Sequence, residues 1–198
     1  MSSAKYKRVL LKLSGEALIG NKEYGIDDSF ITELADQLTQ LHNANVQLII
    51  VIGGGNFFRG SDLEKLGIQR VTADHMGMLA TVINSLALQC SIEKLNIQCR
   101  VMSSITIDAV CEKYIKRKAE RHLEKNRIVI LAGGTGNPFF TTDSAASLRA
   151  IELGAEIMLK GTKVDGIYNK DPVKHKDASL YNEISYSCLL YTSPSPRD

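Results

Sequence analysis

The stretch VILAGGTGNPFFTTDSAA (residues 129–146) opens as an apolar run, crosses three glycines, a Pro-Phe-Phe run and two threonines, and ends as a helix. A short apolar strand followed by a glycine turn and a helix is the repeating unit of an α/β sheet. Outward from it, further apolar, β-rich runs lie at residues 8–14, 46–52, 99–105 and 156–160, with 128–132 as the strand of the quoted stretch. Several are apolar almost throughout, as expected of strands covered on both faces. Between the first two, Phe30, Ile31, Leu34, Leu38 and Leu41 recur at spacings of three and four and predict one helix face. Met76, Leu79, Ile83, Leu86 and Cys90 mark the apolar face of a second helix. Residues 106–125 predict a third helix, and 143–153 a fourth, ended by Gly154. The order βαβαβαβαβ predicts an open, mostly parallel sheet sandwiched between helices.

A chain of 198 residues suffices for one sizeable domain or two small ones. With 24 basic and 22 acidic residues its net charge is +2, which argues against a general attraction to nucleic acid or membrane. Cys90, Cys99, Cys111 and Cys188 are widely spaced, with no CxxC and no zinc spacing, and read as reduced cysteines of a cytosolic protein. The opening residues carry no signal-like apolar segment, and no uninterrupted run of eighteen apolar residues occurs. The ending CLLYTSPSPRD abandons the αβ rhythm. The expectation is one domain over residues 1–187, incomplete at its C-terminus, and a non-native or disordered tail over 188–198.

Ligands of open parallel sheets sit beyond the carboxyl ends of the strands. There the first strand runs into Lys12-Leu13-Ser14-Gly15, the second into Gly53-Gly54-Gly55-Asn56 and the fourth into Gly133-Gly134-Thr135-Gly136. Such loops let backbone N–H groups converge on an anion, so three on one edge point to nucleotide phosphates; ordinary tight turns are the competing reading. Walker A fails, because its three near matches starting at Gly20, Gly55 and Gly161 all lack the lysine. The dinucleotide fingerprint fails because Phe58 and Phe139 stand where its third glycine belongs.

Lys12 lies inside an apolar strand just before its loop, where a cation needs an anionic partner such as a phosphoryl oxygen. Arg59 follows the Gly53 loop and has the fork to clasp a phosphate. TKVDGIYNKDP (residues 162–172) offers a turn, a tyrosine and aspartates for a base and ribose. His42, His75, His122 and His175 lie in unrelated contexts, and no nucleophile–base arrangement presents itself. Transfer to a nucleotide phosphate needs no strong base, since its second pKa is about 6 and the acceptor is already ionised. The basic segment at residues 111–127 reads as a solvated helix face. Thr142 reads equally as a ligand to the base or as the helix N-cap, and one of Phe139 and Phe140 is expected to pack inward.

KLSGEAL at Lys12, VIGGGNFFRG at Val51, DHMGMLATVIN at Asp74, GTGNPFFTTDSAA at Gly134 and KVDGIYNKDP at Lys163 appear in that order. Together, over about residues 6–187, they resemble the bacterial uridylate (UMP) kinases of the amino-acid-kinase fold family. The resemblance implies ATP-dependent phosphorylation of UMP to UDP, Mg²⁺ carried mainly by the nucleotide phosphates rather than by protein ligands, and a cytoplasmic homohexamer. It implies Lys12, Arg59 and Asp143 as catalytic residues, with Asp143 orienting the lysine. It implies Lys12, Leu13, Ser14, Gly15, Gly55 and Arg59 at the ATP phosphates, and Thr162, Tyr168 and Asp171 at adenosine. For UMP it implies Gly54, Asp74, Thr135, Gly136, Asn137, Pro138, Phe139, Phe140, Thr141 and Thr142. The loop Gly20, Asn21, Lys22, Glu23, Tyr24 and Gly25 matches one linked to activation by GTP, opposed by inhibition by UTP. Two rivals stay open: a relative acting on a carboxylate or carbamate, and a catalytically silent nucleotide-binding module.

Overall fold

The computed structural model describes residues 4–58, 66–162, 164–185 and 188, which fall into two units, Met1–Gly161 and Thr162–Asp198. The first holds strands β1 (Arg8–Leu13), β2 (Gln47–Ile52), β3 (Cys99–Ser103), β4 (Glu112–Lys113), β5 (Ile128–Ala132) and β6 (Ile157–Gly161). Among the described residues its helices are α1 (Asp28–Asn43), α2 (Arg70–Lys94), α3 (Lys116–Glu124) and α4 (Thr142–Glu152), with a 3₁₀ turn at Gly15–Ile19. The strands form one sheet in the order β4-β3-β5-β2-β1-β6, and every pair is parallel.

Alternation along the strands divides the core in two. Val9, Leu48, Ile50, Ile52 and Ile130 point to one face, where Ile31, Leu38, Leu88 and Ile92 of α1 and α2 cover them. Leu10, Ile49, Val51 and Leu131 point to the other, under Ala119 and Leu123 of α3 and Ala146 of α4. Along β2 and β5 both faces are covered, which is why these strands lack polar alternation, whereas the edge strand β6, expected to be covered likewise, is largely exposed.

Two expectations require correction. Residues 106–115 are not helical: Val110 closes a turn onto Ile107, and 112–113 pair with β3 as a short strand. The reason is that Ile107 and Cys111 pack with the α1/α2 core, whereas Ala119 and Leu123 pack on the opposite face of the sheet. One straight helix cannot serve both faces.

The second correction concerns α2, whose predicted apolar face is only partly turned inward: Leu86 packs against the core and Met76 is half-buried, but the rest is not. Leu79 and Ile83 are 47% and 48% exposed and Cys90 is exposed, while Ala73, Ala80, Thr81, Asn84 and Ser85 are buried. By length and a mean hydropathy of 1.2 this helix would pass as a membrane span. Its packing on α1 and the sheet, with polar Thr81, Asn84 and Ser85 buried, marks it as a core helix.

The second unit contains a turn tied by Tyr181 N–H to Ile167 O and by Asn169 N–H to Ser179 O, with Tyr168 and Leu180 bridged. Most of the 188–198 tail, like the 187 boundary, lies outside the described residues.

Candidate functional site

The parallel order sets the carboxyl ends of β5, β2 and β1 side by side, and with them the three glycine loops. The loops touch through bare backbone. A Cβ on Gly15 would lie 2.4 Å from Gly53 O and 2.7 Å from Gly55 N, so only glycine lets the β1 and β2 loops meet there. In the β5 loop Gly133, Gly134 and Gly136 all take left-handed backbone, which turns the chain sharply beyond the strand.

A cleft of about 680 Å³, counting its open mouth, lies between these loops and α2. Its wall includes Gly54, Gly55, Asp74, Gly77, Thr81, Gly134, Thr135, Phe140 and Thr142. Asp74, from the second turn of α2, accepts from Phe139 N–H at 2.7 Å and from Arg70 Nε at 3.0 Å. Phe139 has φ 68, a left-handed conformation uncommon for a residue with a side chain, and this hydrogen bond holds it there. Phe139 and Phe140 are 54% and 61% exposed, so neither packs inward as expected. Asn137 is exposed, and its N–H bonds Thr135 Oγ1 at 3.2 Å.

Lys12 is 7% exposed. Strand alternation places it on the α4 side of the sheet, and its Nζ lies 2.8 Å from Asp143 Oδ1. Lys160, paired with Lys12 across the β1/β6 ladder, brings its Nζ to 2.8 Å from Asp143 Oδ2. Both carboxylate oxygens are thus taken up by ammonium groups. Burial pushes the Asp143 carboxyl up, but the two lysines outweigh it and hold the group below the ordinary carboxylate range. Lys160 was missed in the sequence; its signal was a second lysine near the end of an apolar strand, as in LLKLSG.

Helix α4 starts differently from one of the two readings. Thr141, not Thr142, is its N-cap, with Oγ1 accepting from Ser144 N–H at 3.2 Å. Thr142 is left to face the cleft. Ser104 Oγ donates to Gly134 O at 2.8 Å and is itself bound by the buried Arg149, which stacks on Tyr114 and pairs with Glu152.

The Gly20–Gly25 loop packs against Asp27, the N-cap of α1, whose carboxylate accepts from Asn21, Ser29 and Phe30 N–H. Hydrogen bonding, from the Ser29 hydroxyl first, lowers the Asp27 pKa to about 2. Tyr24 is exposed. Leu13 and Ser14 are half-buried at the β1 exit. Arg59 lies outside the described residues. In the second unit Asp171 Oδ1 accepts from Val173 N–H at 2.9 Å, Thr162 Oγ1 donates to Val164 O, and Tyr168 is half-buried.

The amino acid kinase family model matches residues 7–191. A uridylate kinase of Xanthomonas axonopodis is 60% identical over 190 residues, covering 96% of this chain and 79% of that protein. One from Dichelobacter nodosus is 58% identical over 186 residues, 94% of this chain and 77% of its own length. Among solved structures, the UMP kinase of Bacillus anthracis superposes with a TM-score of 0.91 at 40% identity, covering 96% of this chain and 78% of that one.

Proposed function

The chain belongs to the amino acid kinase family, and we propose from that premise that it transfers the γ-phosphoryl group of ATP to UMP, giving UDP and ADP. The observation that carries this is the cleft, where the Gly53 and Gly133 loops converge with Asp74, Thr135, Phe140 and Thr142. A carboxylate or carbamate acceptor would need neither the aromatic wall nor the row of hydroxyls. A silent binding module would not need a buried lysine clamped by an aspartate.

In the proposed mechanism Gly54, Asp74 and residues 135–142 bind UMP, Asp74 through the ribose. Ser14, Gly15, Gly55 and Arg59 meet the phosphates, and Thr162, Tyr168 and Asp171 serve adenosine. Lys12 neutralises charge on the transferred group, and Asp143 aims it. The acceptor phosphate is already ionised near neutrality, so the chain's task reduces to alignment and charge neutralisation. Mg²⁺ would ride on the nucleotide phosphates, where it would offset their charge. Asp143 is committed to two lysines, which supports that assignment.

Residues 1–187 acting as the kinase domain, a homohexamer, activation by GTP through the Gly20–Gly25 loop, inhibition by UTP and a cytoplasmic location belong to the same proposal. Self-association is supported by the outward apolar stripe Leu79 and Ile83 on α2. An ADP-release assay with UMP, CMP and glutamate as acceptors tests the reading. Turnover with UMP is expected, and turnover with glutamate in its place overturns it.

A further inference from the structure

Helix α2 carries Asp74, Gly77, Thr81 and Asn84 at spacings of three, four and three, one face of a helix. Asp74, Gly77 and Thr81 reach the cleft wall. Thr81 and Asn84, 2% and 0% exposed, touch the backbones of two different glycine loops. Thr81 Oγ1 accepts from Gly133 N–H at 2.8 Å while donating to Met78 O at 2.6 Å. Asn84 Nδ2 donates to Gly53 O at 2.8 Å and to Asn56 Oδ1 at 2.7 Å. Asn56 answers with Nδ2 to Asn84 Oδ1 at 2.8 Å and to Gly25 O at 2.9 Å.

All four amide hydrogens of the Asn56–Asn84 pair are used, and the carbonyls of Gly53 and Gly25 fix which way each amide points. Buried polar side chains are costly unless paired, and an apolar residue at 81 or 84 would leave Gly133 N–H or Gly53 C=O unmet. The chain keeps polar groups here although the flanking Ala80 and Leu88 of the same helix are apolar. Close contact reinforces the clasp: a Cβ on Gly54 would stand 2.7 Å from Gly77 O.

We propose that Thr81 and Asn84 are positioning residues, through which α2 holds the β2 loop and the β5 loop in register and so sets the distance between donor and acceptor phosphates. The inference rests on the UMP-phosphorylating reading. Asn84 acts on the Gly53–Gly55 loop, where the phosphoryl group passes, and Thr81 acts on the loop that receives UMP.

The two residues therefore have separable kinetic effects. Thr81→Val is expected to raise the KM for UMP roughly tenfold and leave the KM for ATP within about twofold, and Thr81→Ser to restore it. Asn84→Ala is expected to lower kcat on the order of ten- to a hundredfold, with the KM for UMP changed much less. Asn56→Ser breaks the amide pair but keeps the Asn84 bond to Gly53; it is expected to show a smaller loss of the same kind and serves if Asn84→Ala does not fold. Equal behaviour of Thr81→Val and Thr81→Ser, or parallel shifts for both nucleotides, overturns the proposal. So does wild-type kinetics in both Thr81→Val and the position-84 or position-56 variant. Wild-type turnover of UMP is measured first; its absence sinks the kinase reading instead. Calorimetry of UMP and an ATP analogue then judges the clasp, and Thr81→Val must weaken UMP alone.

Discussion

Lys12 and Asp143 face each other at 2.8 Å across the junction of β1 and the first turn of α4, two elements separated in sequence by most of the first unit. Burial alone would disfavour the Asp143 charge; Lys12 on one oxygen and Lys160 on the other outweigh it and fix the carboxylate in place. Lys12→Ala should cost about 2–4 kcal/mol of transition-state stabilisation, read as a fall in kcat, with UMP binding little changed. Near-normal kcat would remove Lys12 from the chemistry.

Thr141 and Thr142 divide capping from recognition, and valine substitutions separate the two roles. Thr141→Val should lower stability by about 1 kcal/mol in a urea titration. Thr142→Val should leave the urea midpoint nearly unchanged and reduce kcat/KM for UMP roughly tenfold to a hundredfold. The reverse pattern would make Thr142 structural.

Asp27 gives the fold an acid-side weakness. Its folded pKa of about 2 lies below the ordinary 3.8, so its contribution is fully present above about pH 4. That contribution drains away as pH falls through the folded value. Asp27→Asn, which keeps a capping oxygen, should flatten the loss of stability between pH 4 and 2. Identical acid titrations of the two proteins would refute the assignment.

Leu79→Glu combined with Ile83→Glu places charge on the exposed stripe of α2. The fold should survive, since neither side chain enters the core, and the mass measured by light scattering should drop to a smaller species. An unchanged mass would exclude the stripe from any self-association.

Much of this was legible because strands covered on both faces announce themselves as apolar runs. Lys12 stood out as a cation inside such a run, just ahead of a glycine loop. The orientation of α2 was not legible: Leu79 and Ile83 of the apolar stripe lie on the exposed side, while the sheet side is lined by Ala80, Thr81, Asn84 and Ser85, whose burial depends on partners in distant loops. Lys160 carries a faint signal at the end of its apolar run, but its pairing with Lys12 comes from the β1/β6 register. The break at residues 106–115 was hidden because periodicity does not say which side of the sheet a residue will cover.

The pairing of Val9 with Ile157 has a temporal side. In a chain made from its N-terminus, β1 finds β2 early but waits for nearly the whole first unit before β6 can join it. Parallel ladders closed over such spans fold slowly, because the entropy of closing the loop is spent before the pairing returns anything. Lys12 and Lys160 ride on that ladder, so the Asp143 carboxylate gains its second ammonium partner only where β6 has joined β1.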